Sequence, residues 1–219
     1  MAVDSIVKRL LKIDACAVSD AQDKLGINGT IIGILPLYPT GRIAGRAVTV
    51  KLKAKGTEQP KQHLGTAAVV AADPGDIIVI EHRGRTDVAG WGGILSTAAK
   101  TKGVAGVVID GASRDVDEAM GLGLPLWAKS AVARTARGRI VEESTNEVIE
   151  VAGVQVTPGD YVIADNSGVV IVPAARAEEV LKEAEMIAAK EAAMAKDVLA
   201  GKSVAEVMGI NYEQMLGTH

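Results

Sequence analysis

Residues 76–130 alternate between apolar strands and helical segments, and this pattern constrains the fold more than any other part of the chain. The predicted strands are "DIIVIEH" (76–82), "VAGVVID" (104–110) and "LPLWAKS" (124–130), and the predicted helices between them are "ILSTAAKTK" (94–102) and "DVDEAMG" (115–121). Strands with such continuous apolar runs are typical of sheets covered on both faces, which are built from parallel strands with right-handed crossovers. The sequence therefore predicts an α/β fold.

Two segments follow the ends of the first two predicted strands. "RGRTDVAGWGG" (83–93) is predicted as a glycine-rich loop and "GASR" (111–114) as a turn. Ligands of parallel α/β sheets bind beyond the carboxyl ends of the strands. We therefore expect any ligand site to involve these two loops, at 82–93 and 110–114.

The remaining chain predicts one domain over 1–219. It comprises N-terminal helices (4–26), an α/β core (44–173) and a C-terminal helical tail (174–219). Short strands with turn residues after residue 137 predict antiparallel β structure, and the tail begins with one long helix that either packs on another subunit or covers its own sheet. "PGDIIVIE" and "PGDYVIAD" form a weak internal repeat. The alternative is that they only share the same kind of turn into a strand.

Composition excludes several classes of protein. The chain has no Phe, two Trp and three Tyr, and a net charge of −3, so it lacks both the stacking platforms and the basic surface that nucleic-acid binding requires. The single cysteine, Cys16, is predicted to be a buried free thiol, and no Cys/His cluster has zinc spacing. The first residues contain no long apolar stretch, so we expect no membrane contact and a cytoplasmic location.

The first candidate site is the start of the helix at 94–102. Gly92 and Gly93 precede it, and the free N–H groups of Ile94 and Leu95 lie in its first turn. Such a helix end attracts a carboxylate or phosphate, and glycines allow close approach. The alternative is that these glycines only permit a tight turn.

The second candidate site is the pair Arg114 and Asp115. A guanidinium grips a carboxylate at two points, and a carboxylate oxygen suits Mg²⁺ or Mn²⁺. The pair is equally interpretable as a structural ion pair, with Asp115 stabilising the helix that follows.

Other polar residues near this edge have competing interpretations. Asp110 caps the turn or helps to hold a metal, and His82 is a candidate acid or base. Asp117 and Glu118 are predicted only to stabilise their helix, and the charge run at 81–87 is predicted to be mostly a solvated face.

Several segments together resemble the RraA-like superfamily, which includes the class II 4-hydroxy-4-methyl-2-oxoglutarate/4-carboxy-4-hydroxy-2-oxoadipate aldolases. They are "GGILSTAAKTKGVAGVVIDGASRDVDE", "PGDYVIADNSGVVIVP", "CAVSDAQDKLG", "GRIAGRAVTVK" and "AGKSVAEVMGINYE", which span nearly the whole chain. The resemblance implies a swivelling-type β/β/α core. It also implies a homo-oligomer, either a trimer or a hexamer, with active clefts between subunits.

The resemblance also implies roles for individual residues. Arg114 would hold the carboxylate of a small 2-oxo acid, Asp115 would ligate Mg²⁺ or Mn²⁺, and the amides of Ile94 and Leu95 would complete the carboxylate cradle beside Gly92 and Gly93. The chain departs from the aldolase pattern because Gly93 stands where these enzymes carry an acid. Asp87, Glu81 or a neighbouring subunit are the candidates to replace that acid.

The expected function is therefore a divalent-metal-dependent lyase of a small 2-oxo acid. It would release pyruvate by retro-aldol cleavage, or decarboxylate an oxaloacetate-type acid, through a metal-stabilised enolate. One alternative is a related lyase or dehydratase with an altered substrate, because of Gly93. The other is a non-catalytic RraA-type regulator that binds ribonuclease E or another protein.

Overall fold

The fold was analysed in a computed structural model that describes residues 4–57, 59 and 62–209. The helices of this part of the chain are α1 (Ser5–Leu10), α2 (Ala15–Lys24), α3 (Thr66–Ala71), α4 (Gly93–Lys102), α5 (Val116–Leu122), α6 (Ala177–Leu199, preceded by a 3₁₀ turn at Ala174–Arg176) and α7 (Val204–Val207). The strands are β1 (Thr30–Ile31), β2 (Leu35–Pro36), β3 (Ile43–Ala54), β4 (Ile77–Trp91), β5 (Gly106–Ser113), β6 (Leu126–Ala131), β7 (Ile140–Thr145), β8 (Ile149–Val151), β9 (Val154–Val156), β10 (Tyr161–Ala164) and β11 (Val169–Val172).

One mixed sheet carries the fold. Its strand order is β1-β11-β10-β3-β4-β5-β6-β2, with β7 also paired to β3. The central strands β3, β4, β5 and β6 are parallel, whereas β7, β10 and β11 pair antiparallel, which confirms both predictions. The mixed α/β class, with a long C-terminal helix, is therefore the one expected from the sequence.

The two ends of this sheet are joined by a very short piece of chain. β1 pairs with β11 at one end and β2 pairs with β6 at the other, yet only residues 32–34 separate β1 from β2. So few residues span roughly 15 Å at most. The sheet must therefore curl until its two ends approach each other.

The core is aliphatic and lies on both faces of the curled sheet. Along β4, Ile77 and Val79 pack with Trp127 in one cluster, while Ile78 and Ile80 face the opposite side and pack under α3, α4 and α5. This two-sided burial explains why the strand has no polar alternation. The first half of α6 covers β10 and β11 together with α1 and α2, so the long helix covers its own sheet.

The internal repeat corresponds to one turn used twice. Asp76 accepts a hydrogen bond from the Asp73 N–H, and Asp160 accepts one from the Thr157 N–H, each at 2.8 Å. The glycine of each turn has a positive φ. The two turns lead into β4 and β10, which flank β3 on its two sides.

Three sequence expectations are wrong. The segments predicted as a loop (83–93) and a turn (111–114) are mostly strand, because β4 continues to Trp91 and β5 to Ser113 through irregular pairing. Cys16 is exposed rather than buried, since it lies on the outward face of α2. The last part of the predicted tail, residues 210–219, lies outside the described residues. Among the described helices, none combines the length and apolar character needed to cross a membrane.

Candidate active site

The candidate site forms where β4 and β5 end. Trp91 and Ser113 are paired at the last position of the two strands, and the Arg114 N–H donates a hydrogen bond to the Trp91 carbonyl at 3.1 Å. Parallel strands end at the same edge of a sheet, so the starts of α4 and α5 are neighbours. Arg114 and Asp115 therefore lie beside Gly92 and the first turn of α4.

Asp115 connects the two helices. It precedes α5 with a φ of +54°, and its side chain makes no capping bond to that helix. Its Oδ2 instead accepts a hydrogen bond from the Gly93 N–H at 2.8 Å, and it lies 3.2 Å from Arg114 Nε. The carboxylate thus satisfies one of the free donors at the start of α4.

Close approach of neighbouring side chains favours glycine at positions 92 and 93. A Cβ on Gly92 would lie 2.9 Å from Asp115 Oδ2, and one on Gly93 would lie 1.8 Å from Glu118 Oε2. The second contact means that the Glu118 carboxylate fills the volume that a side chain at position 93 would occupy. The sequence interpretation of these residues as a simple tight turn is therefore incomplete.

The first turn of α4 presents amide donors to the same place. The Ser96 N–H bonds to the Gly92 carbonyl at 3.0 Å, so the amides of Ile94 and Leu95 precede the first intrahelical hydrogen bond of this turn. Trp91 supports the turn from below, because its buried Nε1–H donates to Ser96 Oγ at 2.9 Å. The backbone amides of this turn are thereby fixed to a buried part of the core.

A cavity of about 570 Å³ opens over these groups. Its lining includes every site residue expected from the sequence, namely Gly92, Gly93, Ile94, Leu95, Arg114 and Asp115. It also includes residues that the sequence analysis did not place there, namely His63, Thr66, Glu118, Thr135, Ala136 and Arg137. Glu118 lies three residues after Asp115, a spacing that places two residues on one side of a helix, but the sequence alone does not place that side against α4. The segments at 63–66 and 135–137 carry no local pattern that indicates the cavity.

The two residues proposed to replace the acid at position 93 lie elsewhere. Glu81 is buried, accepts a hydrogen bond from the Glu150 N–H at 3.0 Å and lies 3.7 Å from Lys51 Nζ. Asp87 pairs with Arg85 at 2.8 Å. Neither lines the cavity, so the structure gives no support to these two candidates for the missing acid.

His82 and Asp110 also face away from the cavity. His82 is buried, and its Nε2–H donates to the Val88 carbonyl at 2.8 Å. Burial lowers the pKa of this imidazole, so the ring is held neutral. Asp110 pairs with Lys129 at 2.8 Å and accepts from the Gly84 N–H at 3.1 Å. Their proposed acid–base and metal roles are replaced by structural ones.

The residues present fit a magnesium-like ion. In the part of the chain that the structure describes, no three His, Cys, Asp or Glu side chains group as a metal site. Asp115 and Glu118 nevertheless bring two carboxylates to one side of the cavity. Mg²⁺ commonly binds through one or two carboxylates and keeps several waters, so this donor set suits it and excludes a zinc-type site.

A curled mixed sheet with Arg114 and Asp115 at the ends of its parallel strands places the protein in the mixed α/β class. Within that class the chain belongs to the RraA-like family, described as Aldolase/RraA, which it matches over residues 15–171. The family expected from the sequence is thereby confirmed.

Individual relatives agree with this assignment. A protein of Halalkalibacterium halodurans named "Putative 4-hydroxy-4-methyl-2-oxoglutarate aldolase" is 32% identical over 90% of this chain and 91% of its own length. Protein DlpA of Legionella pneumophila is 27% identical over 91% of this chain, which spans only 32% of DlpA. The structure of Streptomyces coelicolor RraAS2, described as an unusual member of the RNase ES inhibitor RraA protein family, superposes with a TM-score of 0.77 at 27% identity. That superposition covers 83% of this chain and 92% of RraAS2.

Proposed function

We propose that this protein is a divalent-metal-dependent lyase of a small 2-oxo acid. The reaction is retro-aldol cleavage that releases pyruvate, decarboxylation of an oxaloacetate-type acid, or both. One observation carries the proposal: a guanidinium, a carboxylate and the start of a helix line the same cavity. This combination provides a site for an anion beside a site for a cation, which is what a chelating 2-oxo acid requires.

The residues divide the work of binding. Arg114 has donors beyond the Nε that faces Asp115, and these are available to the substrate carboxylate. The amides of Ile94 and Leu95 approach the same carboxylate from the end of α4, where the helix dipole favours negative charge. The substrate is thereby held at one end, with its 2-oxo group directed toward the carboxylates.

A divalent ion, when bound by Asp115, supplies a Lewis acid that withdraws electrons from the 2-oxo group. The chain contributes orientation, because the Gly93 N–H and Arg114 Nε both fix the Asp115 carboxylate. Buried Trp91 holds the turn beneath and keeps water out from that side. Preorganised groups of this kind account for a large share of catalysis in many enzymes.

Two other functions follow from particular observations. A lyase or dehydratase with an altered substrate is favoured by Gly93, since the acid near that position comes from a different residue. A regulator that binds a ribonuclease is favoured by the similarity to RraAS2. The enzyme and the regulator make different predictions for Arg114. An enzyme needs its guanidinium in the cavity to bind substrate, whereas a regulator does not.

Pyruvate release tests the proposal directly. Oxaloacetate and several 4-hydroxy-2-oxo diacids are incubated with the protein and Mg²⁺ or Mn²⁺, with and without a chelator. We expect metal-dependent pyruvate release, and a loss of about 10- to 100-fold in kcat/KM for Arg114→Ala, since a lost charge-assisted hydrogen bond costs about 1.5–3 kcal/mol.

The matched control is Arg176→Ala, which removes an exposed arginine outside the cavity. Its kcat/KM is expected to equal that of the wild type. If no substrate yields pyruvate, or if the two arginine variants behave alike, the lyase proposal is wrong. Binding of a purified ribonuclease E under those conditions, unaffected by Arg114→Ala, would support the regulator instead.

A further inference from the structure

Two carboxylates of the first turn of α5 are directed toward α4 rather than toward their own helix. Asp115 bonds to the Gly93 N–H and makes no cap bond to α5. The Glu118 Oε2 lies 1.8 Å from the ideal Cβ position of Gly93, and the Asp115 Cβ lies 3.2 Å from the same point. The Glu118 carboxylate and the Asp115 side chain therefore lie on neighbouring sides of Gly93, and both line the cavity.

Only one of these two carboxylates has a partner among the described residues. Arg114 Nε faces Asp115, whereas among the described residues no hydrogen bond or ion pair reaches the Glu118 carboxylate. Like charges that converge in this way repel each other unless a cation lies between them. The helix dipole of α4 reduces the repulsion but supplies only about half a charge.

A purely structural role does not explain where Glu118 lies. An acid in the first turn stabilises its own helix through the dipole, and Asp117 on the neighbouring position satisfies that role from an exposed site. Glu118 is also an exposed acid of this first turn, but it lines the cavity and occupies space that is open only because residue 93 is glycine.

We propose that Glu118, whose carboxylate occupies the space that Gly93 leaves open, is the second carboxylate of the site and holds a divalent cation together with Asp115. This inference rests on the proposed function for the location of the cation and extends it to a second residue at the start of α5. The acid absent at position 93 is thus supplied by position 118 of the same chain, from the other side of the same gap.

Binding of Mn²⁺, measured by electron paramagnetic resonance or calorimetry without substrate, tests this inference. Glu118→Gln keeps the shape of the side chain and is expected to weaken Mn²⁺ binding about tenfold or more, as loss of supporting groups around a metal does. Asp117→Asn removes an equal charge one residue away, outside the cavity, and is expected to change the affinity less than about twofold.

Two variants at position 93 test the geometry. Gly93→Ala places a methyl group where Glu118 Oε2 lies, so the flexible end of Glu118 has to move, and the Asp115 Cβ at 3.2 Å has to shift by only a few tenths of an ångström. We expect it to fold normally, as followed by circular dichroism, and to weaken Mn²⁺ binding in the same direction as Glu118→Gln. Gly93→Asp combined with Glu118→Ala restores an acid to the gap and is expected to bind Mn²⁺ more tightly than Glu118→Ala alone.

The outcomes separate this inference from the lyase proposal. Equal Mn²⁺ affinities for Glu118→Gln and Asp117→Asn overturn the inference even if the wild type releases pyruvate. Failure of the wild type to bind Mn²⁺ overturns it as well. Mn²⁺ binding that depends on Glu118 supports the inference even if no tested substrate is cleaved, in which case only the proposed reaction is wrong.

Discussion

Asp115 meets two structural demands that substitutions can separate. Its Oδ2 accepts the Gly93 N–H at 2.8 Å, and its backbone has a φ of +54°, a region that most residues avoid. Asp115→Ala removes the acceptor and keeps the unfavourable φ. Asp115→Gly removes the acceptor but tolerates that φ, and Asp115→Asn retains an acceptor and tolerates the φ while it removes the negative charge.

The magnitudes follow from these contacts. A hydrogen bond to a charged acceptor contributes about 1.5–3 kcal/mol, and the lower end applies because the Asp115 side chain is 32% exposed. A left-handed φ costs Ala about 1 kcal/mol more than Gly. We expect Ala to lower the free energy of unfolding by about 2.5 kcal/mol, Gly by about 1.5 and Asn by less than about 1. For a chain of this size the Ala variant should melt about 5–10 °C below the wild type.

Denaturant unfolding and pyruvate release together give the decisive comparison. All three variants are expected to lose metal-dependent activity, whereas stability should fall in the order Asn, Gly, Ala from least to most affected. Asp117→Ala, at an exposed position of the same helix turn, is the control. If Asp115→Ala costs no more than this control, or if Asn destabilises as much as Ala, then Asp115 does not connect the two helices as described.

The buried parts of the fold give three further expectations. Burial holds the pKa of His82 below its ordinary 6.5, so as the pH falls the unfolded chain takes up a proton at this residue before the folded protein does, and stability is lost. His82→Gln should therefore lose less stability than the wild type between about pH 8 and pH 5.5. An equal slope of stability against pH in both proteins would contradict this. Gly45→Ala should prevent stable folding, because its Cβ would lie 2.2 Å from a backbone carbonyl oxygen, whereas Gly121→Ala, with open space around it, should raise the melting temperature slightly. Leu181→Ala should cost about 2–5 kcal/mol in denaturant unfolding, against less than about 0.5 for Leu199→Ala, because the first side chain is buried and the second is 88% exposed.

The sequence predicts the parallel core well because the relevant signal is local. Ile77–Ile80 are all apolar, and only burial on both faces explains such a run. The extension of β4 beyond His82 is not predictable in this way. Arg83 and Gly84 both have positive φ, and the pairing with β5 shifts register there. β4 continues beyond this point because it pairs again with β5, and the local sequence preferences of β4 do not predict that pairing.

The candidate site shows the same division. Arg114 and Asp115 are identifiable because they directly follow an apolar strand, but the position of Glu118 depends on how α4 and α5 cross. Cys16 was misplaced for a different reason. Its neighbours Ala15, Ala17 and Val18 are buried, and a helix cannot bury every face, so the periodicity of α2 places Cys16 outward.

The short connection between β1 and β2 has a consequence for the two edges of the sheet. Open sheets have two unpaired borders that recruit other chains, and here both borders belong to strands of two residues each, joined by residues 32–34. This connection, here called the clasp, holds the two edge strands close to each other. It does so although Ile32 within it is exposed to solvent. A proteolytic cut within the clasp would free both borders at once and favour edge-to-edge aggregation.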